Sequence, residues 1–147
     1  MRLTFCFVLV ALSLVGCGSD NGGGTPTAPS VNVPFSATDL RVGTGAEATN
    51  GRTVRVNYSG WLYSTTAVDN KGSLFDSSLS AGRTPFEFVL GTGNVIQGWH
   101  RGIPGMRVGG LRRLVIPPDL AYGAAGRSPS IPGNATLLFE VELLAVQ

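Results

Sequence analysis

Cysteine and histidine are scarce in this chain of 147 residues. Both cysteines, Cys6 and Cys17, lie within the first 17 residues, so the rest of the chain has neither a disulfide framework nor a thiolate metal cluster. The single histidine, His100, has no second histidine to complete a zinc site. These two absences exclude the commonest structural metal sites.

Charge is also scarce, with 11 basic and 9 acidic residues and a formal net charge of +2. The one adjacent basic pair, Arg112 and Arg113, lies in a strand-like segment, where neighbouring side chains point to opposite faces. This distribution argues against nucleic-acid binding. The chain also lacks a Walker loop and a Gly-x-Ser-x-Gly elbow. We therefore expect a protein that works without a metal, a nucleotide or any other cofactor.

A long apolar run occurs at the N-terminus, over residues 3 to 15. It is too short to span a membrane, which takes about 20 residues, and with Arg2 before it the run is typical of a secretory signal. It ends in Leu14-Val15-Gly16-Cys17, which resembles a bacterial lipobox. The resemblance implies that residues 1 to 16 are a lipoprotein signal peptide and that Cys17 is lipidated. We expect an exported, lipid-anchored protein of the cell envelope, on the periplasmic side of the outer membrane if the host is Gram-negative.

Residues 17 to 34 consist mainly of Gly, Ser, Thr, Asn and Pro. Such a segment has too little apolar surface to fold alone, so we predict a flexible tether. Residues 35 to 147 are expected to form one domain. The 21 glycines and 9 prolines favour many turns and short strands over long helices.

Apolar and polar residues alternate with a period of two in several parts of this domain, as they do at Val54, Val56 and Tyr58. Strands are predicted at residues 37–42, 53–63, 86–90, 111–116 and 136–144, with a further short segment at 74–78. One short helix is predicted at residues 95–101, and residues 64–73 are interpreted as a polar, flexible insertion. We predict an α+β fold in which a twisted antiparallel sheet of five or six strands wraps across this helix.

The predicted helix carries Trp99, which taken alone is most simply a core residue. Other aromatics recur beside turn residues, at Tyr58, Phe75, Phe86, Tyr122 and Phe139. An apolar cup with a tryptophan floor and aromatic walls is suited to an uncharged, ring-shaped ligand. The sequence therefore predicts a binding pocket between the helix and the sheet.

Two polar residues are candidates for the wall of this pocket. Asp76 is either a turn aspartate held by backbone N–H groups or a carboxylate on the pocket wall that pairs with Arg83, and both can hold. Tyr122 lies in a loop rich in glycine and alanine, where its hydroxyl is suited to donate to a ligand carbonyl.

Three further titratable residues have simpler interpretations. His100 could be a general base, but next to Trp99 on a short helix it is expected to point to solvent. Glu140 and Glu142 alternate with apolar residues in the last strand, so we interpret them as a solvated strand face and not as a pair of catalytic carboxylates.

Seven segments in order resemble the FKBP-type peptidyl-prolyl cis–trans isomerases, over about 110 residues. They are Val56-Asn57-Tyr58-Ser59-Gly60, Phe75-Asp76-Ser77-Ser78, Pro85-Phe86-x-Phe88-x-Leu90-Gly91, Val95-Ile96-x-Gly98-Trp99, Met106-x-Val108-Gly109, Pro118-x-x-Ala121-Tyr122-Gly123 and Ala135-Thr136-Leu137-x-Phe139-x-Val141-Glu142-Leu143. The resemblance implies a half-barrel of antiparallel strands around the short helix.

The resemblance also implies which residues form the site. Trp99 would be the floor, and the Ile96 backbone N–H and Asp76 would be polar contacts. The implied catalytic residues are Tyr58, Phe75, Asp76, Trp99, Tyr122 and Phe139, and the implied substrate-binding residues are Phe86, Val95, Ile96 and Ile131. Where the family often has an arginine that pairs with the aspartate, this chain has Ala81 or Gly82, so Arg83 is the possible substitute. Arg127 stands in place of a frequent histidine, and Ser130 in place of an apolar residue.

These features predict an enzyme that accelerates rotation about X-Pro bonds in exported proteins. Its expected partners are proline-containing polypeptides of the cell envelope and the membrane, through the N-terminal lipid, with macrolides as possible ligands, and it is expected to be a monomer. The alternative is a proline-binding chaperone or surface-interaction module with little turnover. A structural lipoprotein with a vestigial pocket is a weaker possibility, because the pocket aromatics are retained.

Overall fold

The computed structural model describes residues 33 to 147. The predicted signal peptide, Cys17 and all but the end of the predicted tether lie outside the described residues. Within residues 33 to 147, no helix is both long enough and apolar enough to cross a membrane.

The described chain folds as one six-stranded antiparallel sheet with a short α-helix. The strands are β1 (Ser36–Arg41), β2 (Thr53–Tyr63), β3 (Lys71–Ser77), β4 (Phe86–Val89), β5 (Leu111–Ile116) and β6 (Leu137–Val146), and the helix α1 is Gln97–Gly102. The spatial order is β1-β5-β6-β2-β3, and β4 pairs with the first half of β2 on the same edge as β3. This architecture confirms the predicted α+β fold, with six strands and one helix.

The alternation in β2 and β6 places one face of the sheet in the core. Val54 and Val56 are fully buried, and they pair across to the inner face of β6, where Val141 and Leu143 are also fully buried. Arg55 between the two valines is exposed. The prediction of a half-buried central strand is confirmed.

Helix α1 covers this apolar face and lies close to β5. A β-carbon on Gly98 would be 2.4 Å from Cγ2 of Ile116, and one on Gly102 would be 2.6 Å from Cδ2 of Leu114. Only glycine therefore permits this approach without repacking. Trp99, between the two glycines, is 4% exposed and belongs to the core cluster.

The helix begins two residues later than predicted. Ile96 is extended, with φ −63° and ψ 150°, and Val95 precedes it, so both β-branched residues lie outside the helix. Their stiff side chains favour extended backbone. Val95 and Ile96 instead line the cavity beneath the sheet.

The interpretation of residues 64–73 as flexible was wrong at their C-terminal end. A 3₁₀ turn covers Val68–Asn70, and β3 begins at Lys71. The Ser64 N–H donates to the Asn70 carbonyl, and the Asn70 side-chain amide donates back to the Ser64 carbonyl. The Lys71 ammonium lies 4.6 Å from the ring centre of Trp61. These local contacts order a segment that lacks apolar periodicity.

Arg112 and Arg113 point to opposite faces, as expected. Arg112 donates to both carboxylate oxygens of Asp39 on β1 and to the carbonyl of Gly102, so it joins the edge strand to the end of the helix. The hydrogen bonds from Arg112 hold the pKa of Asp39 below its usual range. Arg113 donates to Glu140 on the other face.

Glu140 is not solvated, in contrast to the interpretation from the sequence. Its side chain is 18% exposed, and Oε1 accepts from both Lys71 and Arg113. Burial raises the pKa of Glu140, but the hydrogen bonds from these two cations outweigh it and the net shift is downward. Glu142 is more exposed and pairs with Arg41 on the edge strand. Both carboxylates therefore tie strands together.

Candidate functional site

A cavity of about 950 Å³ opens between α1 and the sheet. Nine of the ten predicted catalytic or substrate-binding residues line it. They are Tyr58, Phe75, Asp76, Phe86, Val95, Ile96, Trp99, Tyr122 and Phe139. The residues come from four strands, the segment before the helix, the helix and a late loop, so the fold is what brings them together.

Trp99 forms the floor of this cavity. Its ring centre lies 5.2 Å from that of Tyr58 and 5.4 Å from that of Phe139, in both cases edge-to-face. Phe86 lies 6.2 Å away, also edge-to-face. The indole Nε1 is buried and has no hydrogen-bond partner among residues 33 to 147. The floor therefore presents hydrocarbon and π-surface to the cavity and no exposed donor.

The walls depend on one glycine in β2. A β-carbon on Gly60 would lie 2.6 Å from Cε1 of Phe139 and 2.7 Å from Cζ of Phe75. These two rings meet edge-to-face over the glycine, with their centres 5.5 Å apart. The sequence Tyr58-Ser59-Gly60 thus supplies one wall residue and the space for two more.

Asp76 lies on the cavity wall, and its carboxylate has two partners. The Tyr58 hydroxyl donates to Oδ2 at 2.7 Å, and Arg83 donates to Oδ1. The predicted pairing with Arg83 is confirmed, so this arginine replaces the one missing at Ala81 or Gly82. Burial, followed by the hydrogen bond and charge of Asp76, raises the pKa of Tyr58 to about 12. Tyr58 is therefore a neutral hydroxyl at physiological pH.

Ser78 holds β2 in place at the cavity wall, a role that its sequence pattern does not predict. Its hydroxyl accepts from the Tyr58 backbone N–H at 2.9 Å and donates to Oδ1 of Asn57 at 3.1 Å. Both residues belong to the segments that carry the family resemblance. A hydrogen bond from a buried side chain to the backbone of a distant residue leaves no periodic pattern in the sequence. It becomes visible only once the pairing of β2 with β3 is known.

Tyr122 enters the cavity from the loop after β5. A 3₁₀ turn at Pro118–Leu120 begins this loop, and the Gly123 and Gly126 backbones have positive φ values. The Tyr122 hydroxyl accepts a long bond of 3.4 Å from Nη1 of Arg127. Because it accepts there, its own hydrogen is available to a ligand carbonyl.

The N-terminal end of the helix offers a second donor. The first N–H groups of a helix have no intrahelical acceptor. Among residues 33 to 147 the Ile96 N–H has no intramolecular acceptor either, whereas the Ile96 carbonyl accepts from Trp99. The Ile96 N–H is therefore free to donate a hydrogen bond to a ligand, as the predicted polar contact requires.

Two predicted residues occupy other positions. Ile131 does not line the main cavity. It is 4% exposed and lines a smaller groove next to the cavity. Its backbone pairs with that of Arg127 across the late loop, which holds it there. His100 is neither a base in the cavity nor a free surface residue. Its Nδ1 accepts from the Gly91 N–H at 3.0 Å and thereby fixes the turn before the helix.

The arrangement suits binding and not proton transfer. The cavity contains aromatic rings, a carboxylate, Asp76, whose oxygens both accept from protein donors, and donors that include the Tyr122 hydroxyl and the Ile96 N–H, while the exposed side chains of Glu87 and Arg127 also line it. Such a site can enclose an uncharged ring and hold carbonyl groups next to it.

Comparison with known proteins gives the family of this chain. Residues 45 to 144, more than half of the chain, match the family described as FKBP-type peptidyl-prolyl cis-trans isomerase. The chain belongs to that family. Its activity is the cis–trans isomerisation of peptidyl-prolyl bonds, and the family resemblance of the seven sequence segments is confirmed.

Individual FKBP relatives extend over the same region. The chain is 40% identical to FK506-binding protein 2 of Dictyostelium discoideum over 147 residues, which covers 99% of each sequence. It is 48% identical to the FK506-binding protein of Neisseria meningitidis serogroup A over 108 residues, 74% of this chain and 92% of the relative.

Solved FKBP structures have the same fold. The crystal structure of AtFKBP13 matches with a TM-score of 0.66 at 39% identity, over 77% of this chain and 93% of that one. The crystal structure of FkpA from Escherichia coli matches with a TM-score of 0.63 at 42% identity, over 77% of this chain and 48% of that one.

The Tyr58–Asp76 contact predicts a late titration of one tyrosine. The absorbance of the Tyr58 phenolate, taken as wild type minus Tyr58→Phe, should rise with a midpoint near pH 12 and not near 10. Because the folded pKa is raised, the neutral phenol stabilises the fold below about pH 10, and this contribution is lost as the pH rises through 12.

Two comparisons make this titration specific. Unfolding in urea should return the midpoint to about 10. Asp76→Asn removes the negative charge but not the burial, so the midpoint should move only part of the way. A Tyr58 step at pH 10 in the folded wild type would contradict the described contact.

Proposed function

We propose that the main cavity between α1 and the sheet, called the cup below, catalyses X-Pro rotation. It would enclose the prolyl ring and favour the twisted amide over the planar one. The observation that carries this proposal is the indole floor of the cavity, with the rings of Tyr58, Phe86 and Phe139 packed edge-to-face around it. A planar amide is stabilised by resonance, and rotation must cross a barrier of about 18–20 kcal/mol. In the twisted form the carbonyl is less polarised, so leaving water costs it less. An apolar site therefore binds the twisted form preferentially, which lowers the barrier.

The required stabilisation is within reach of such a site. A 10⁶-fold acceleration corresponds to about 8 kcal/mol. Burial of the saturated prolyl ring against Trp99, Tyr58, Phe86 and Phe139 contributes about 0.8 kcal/mol for each buried CH₂, and the part of this contribution that is larger for the twisted form lowers the barrier. The Tyr122 hydroxyl and the Ile96 N–H would hold the flanking carbonyls, so that rotation is confined to the prolyl bond.

The Asp76 carboxylate would act through position and charge. Its two oxygens accept from Tyr58 and Arg83, so the carboxylate holds the Tyr58 ring at the wall. Because Arg83 balances its charge, the main effect of Asp76 is on the position of Tyr58. No covalent bond forms or breaks, and no proton needs to be transferred.

We further propose that the enzyme acts on exported proteins from a lipid anchor in the cell envelope, as a monomer. Support comes from the apolar run, the Leu14-Val15-Gly16-Cys17 segment and the polar tether. Two relatives are named for FK506 binding, and an uncharged macrolide would bind in the same cup. The clients would be proline-containing polypeptides that fold outside the cytoplasm.

The lipid anchor predicts incorporation of labelled palmitate into the expressed full chain. Cys17→Ser should abolish the label and release the protein from membranes, whereas Cys6→Ser should leave both unchanged, because residue 6 would be removed with the signal peptide. Label that persists in Cys17→Ser would contradict the proposal.

Because Trp99 forms the floor of the cup and Trp61 lies outside it, we expect substitutions of the two tryptophans to differ strongly in their effect on kcat/KM. In an exchange assay on an X-Pro peptide, Trp99→Ala should lower kcat/KM by more than 100-fold, because the site then loses its apolar floor under the prolyl ring; a 100-fold loss corresponds to about 2.7 kcal/mol. Trp99→Phe should retain part of the activity and serves as the variant that keeps the core filled. Trp61→Phe is the matched control, since Trp61 lies outside the cavity beneath Lys71, and it should be fully active.

The same assay tests the proposal against its alternative. Exchange by the wild type no faster than in buffer, with retained binding to an unfolded client, would support the proline-binding chaperone instead. Equal activity of Trp99→Ala and wild type, with both folded by circular dichroism, would remove the indole from the mechanism.

A further inference from the structure

A second groove, of about 320 Å³, opens directly beside the cup. The two spaces share the walls formed by Phe75, Asp76, Arg83 and Arg127, and the groove continues under the late loop to Ile131. A polypeptide whose prolyl ring fills the cup would therefore place a neighbouring residue in this groove.

The charged groups of the groove are two guanidinium groups and one carboxylate. Both oxygens of the carboxylate, Asp76, accept from protein donors, one from Tyr58 and the other from Arg83. Arg83 is thus already neutralised. The groove retains one positive charge, and that charge is on Arg127.

Arg127 has no ion-pair partner within residues 33 to 147. Among the described residues its guanidinium contacts only Tyr122: the guanidinium carbon lies 5.9 Å from the ring centre, and Nη1 lies 3.4 Å from the hydroxyl. Neither contact is an ion pair, and the arginine is exposed. A planar guanidinium in this setting is suited to a carboxylate, which it can bind through two parallel N–H groups.

The other groups near the groove are consistent with an anionic ligand. Ser128 and Ser130 line it and provide hydroxyl donors. The remaining carboxylate of the cup, Glu87, does not line the groove, and its nearest cation is Arg55 at 3.8 Å. The surplus positive charge therefore lies on the groove side of the bound proline.

We infer that this groove selects an acidic residue next to the proline, so that the preferred substrates are peptides with Asp or Glu adjacent to the prolyl bond. Arg127 is the specificity-determining residue. The inference rests on the proposed function, because it assumes that the prolyl ring occupies the cup. Since Arg127 is exposed, the preference is moderate, about threefold in kcat/KM at low ionic strength.

The test uses a set of X-Pro peptides that differ in one residue and carry no charge at their ends. Exchange rates are measured by NMR for Glu, Gln and Lys placed either before or after the proline, with amidated and acetylated ends. At one of the two positions wild type should prefer Glu to Gln by about threefold and Gln to Lys. Raising the salt to about 1 M should abolish the ratio, because the Debye length falls to about 3 Å.

Three variants assign the effect. Arg127→Gln should bring the Glu-to-Gln ratio to one, and Arg127→Lys should retain part of the ratio; because the ratio compares two peptides on the same variant, it cancels any general change in activity that Arg127 causes through Tyr122. Arg52→Gln removes the same charge at an exposed position outside both cavities and should keep the wild-type ratio. A ratio of one in wild type at both positions, or a ratio that Arg127→Gln leaves intact, would overturn the inference while the Gln peptide still reports isomerase activity. Failure of every peptide to exchange faster than in buffer would instead overturn the proposed function, and the inference with it.

Discussion

The close contact between helix α1 and the inner face of the sheet is the constraint on which the site depends. Gly98 and Gly102 let the helix approach Ile116 and Leu114 to distances at which a β-carbon would overlap. This approach sets the depth of Trp99 beneath β2 and β6, and so the depth of the cup. Arg112 fixes the end of the helix to the edge strand by hydrogen bonds to Gly102 and Asp39. A six-residue helix gains little from its own hydrogen bonds, so its position is determined by these tertiary contacts.

The cup combines an apolar interior with polar groups confined to its wall. Aromatic rings meet edge-to-face around the indole, which keeps them at fixed distances without filling the cavity. The Asp76 carboxylate would be costly in such surroundings if it were unpaired, but Tyr58 and Arg83 satisfy it. The hydrogen bond to Asp76 adds to the burial that raises the pKa of Tyr58 to about 12, and it fixes the position of the Tyr58 ring at the wall. A site of this kind binds one shape of an uncharged group well and has no need of a metal or an acid–base pair.

Much of this could be predicted from the sequence, since period-two alternation located β2 and β6 and the ordered aromatic segments identified nine residues of the cup. The predictions that were wrong share a physical cause. The helix start at Val95 was wrong because the backbone of Ile96 is extended, and the order in residues 64–73 was missed because it rests on hydrogen bonds between Ser64 and Asn70. Ile131 and Glu140 were misplaced because neighbouring loops and strands, distant in sequence, bury them. Alternation gives the face of a strand but not what packs on that face.

The most direct test of the account compares a planar and a twisted occupant of the same cup. Calorimetry would measure the affinity of the wild type for a prolyl α-keto amide, whose adjacent carbonyls are held out of plane, and for the matching planar amide. If the cup favours the twisted form, the keto amide should bind at least about 100-fold more tightly, as expected for a transition-state analogue, with a negative heat-capacity change from apolar burial. Equal affinities for the two compounds would contradict the account.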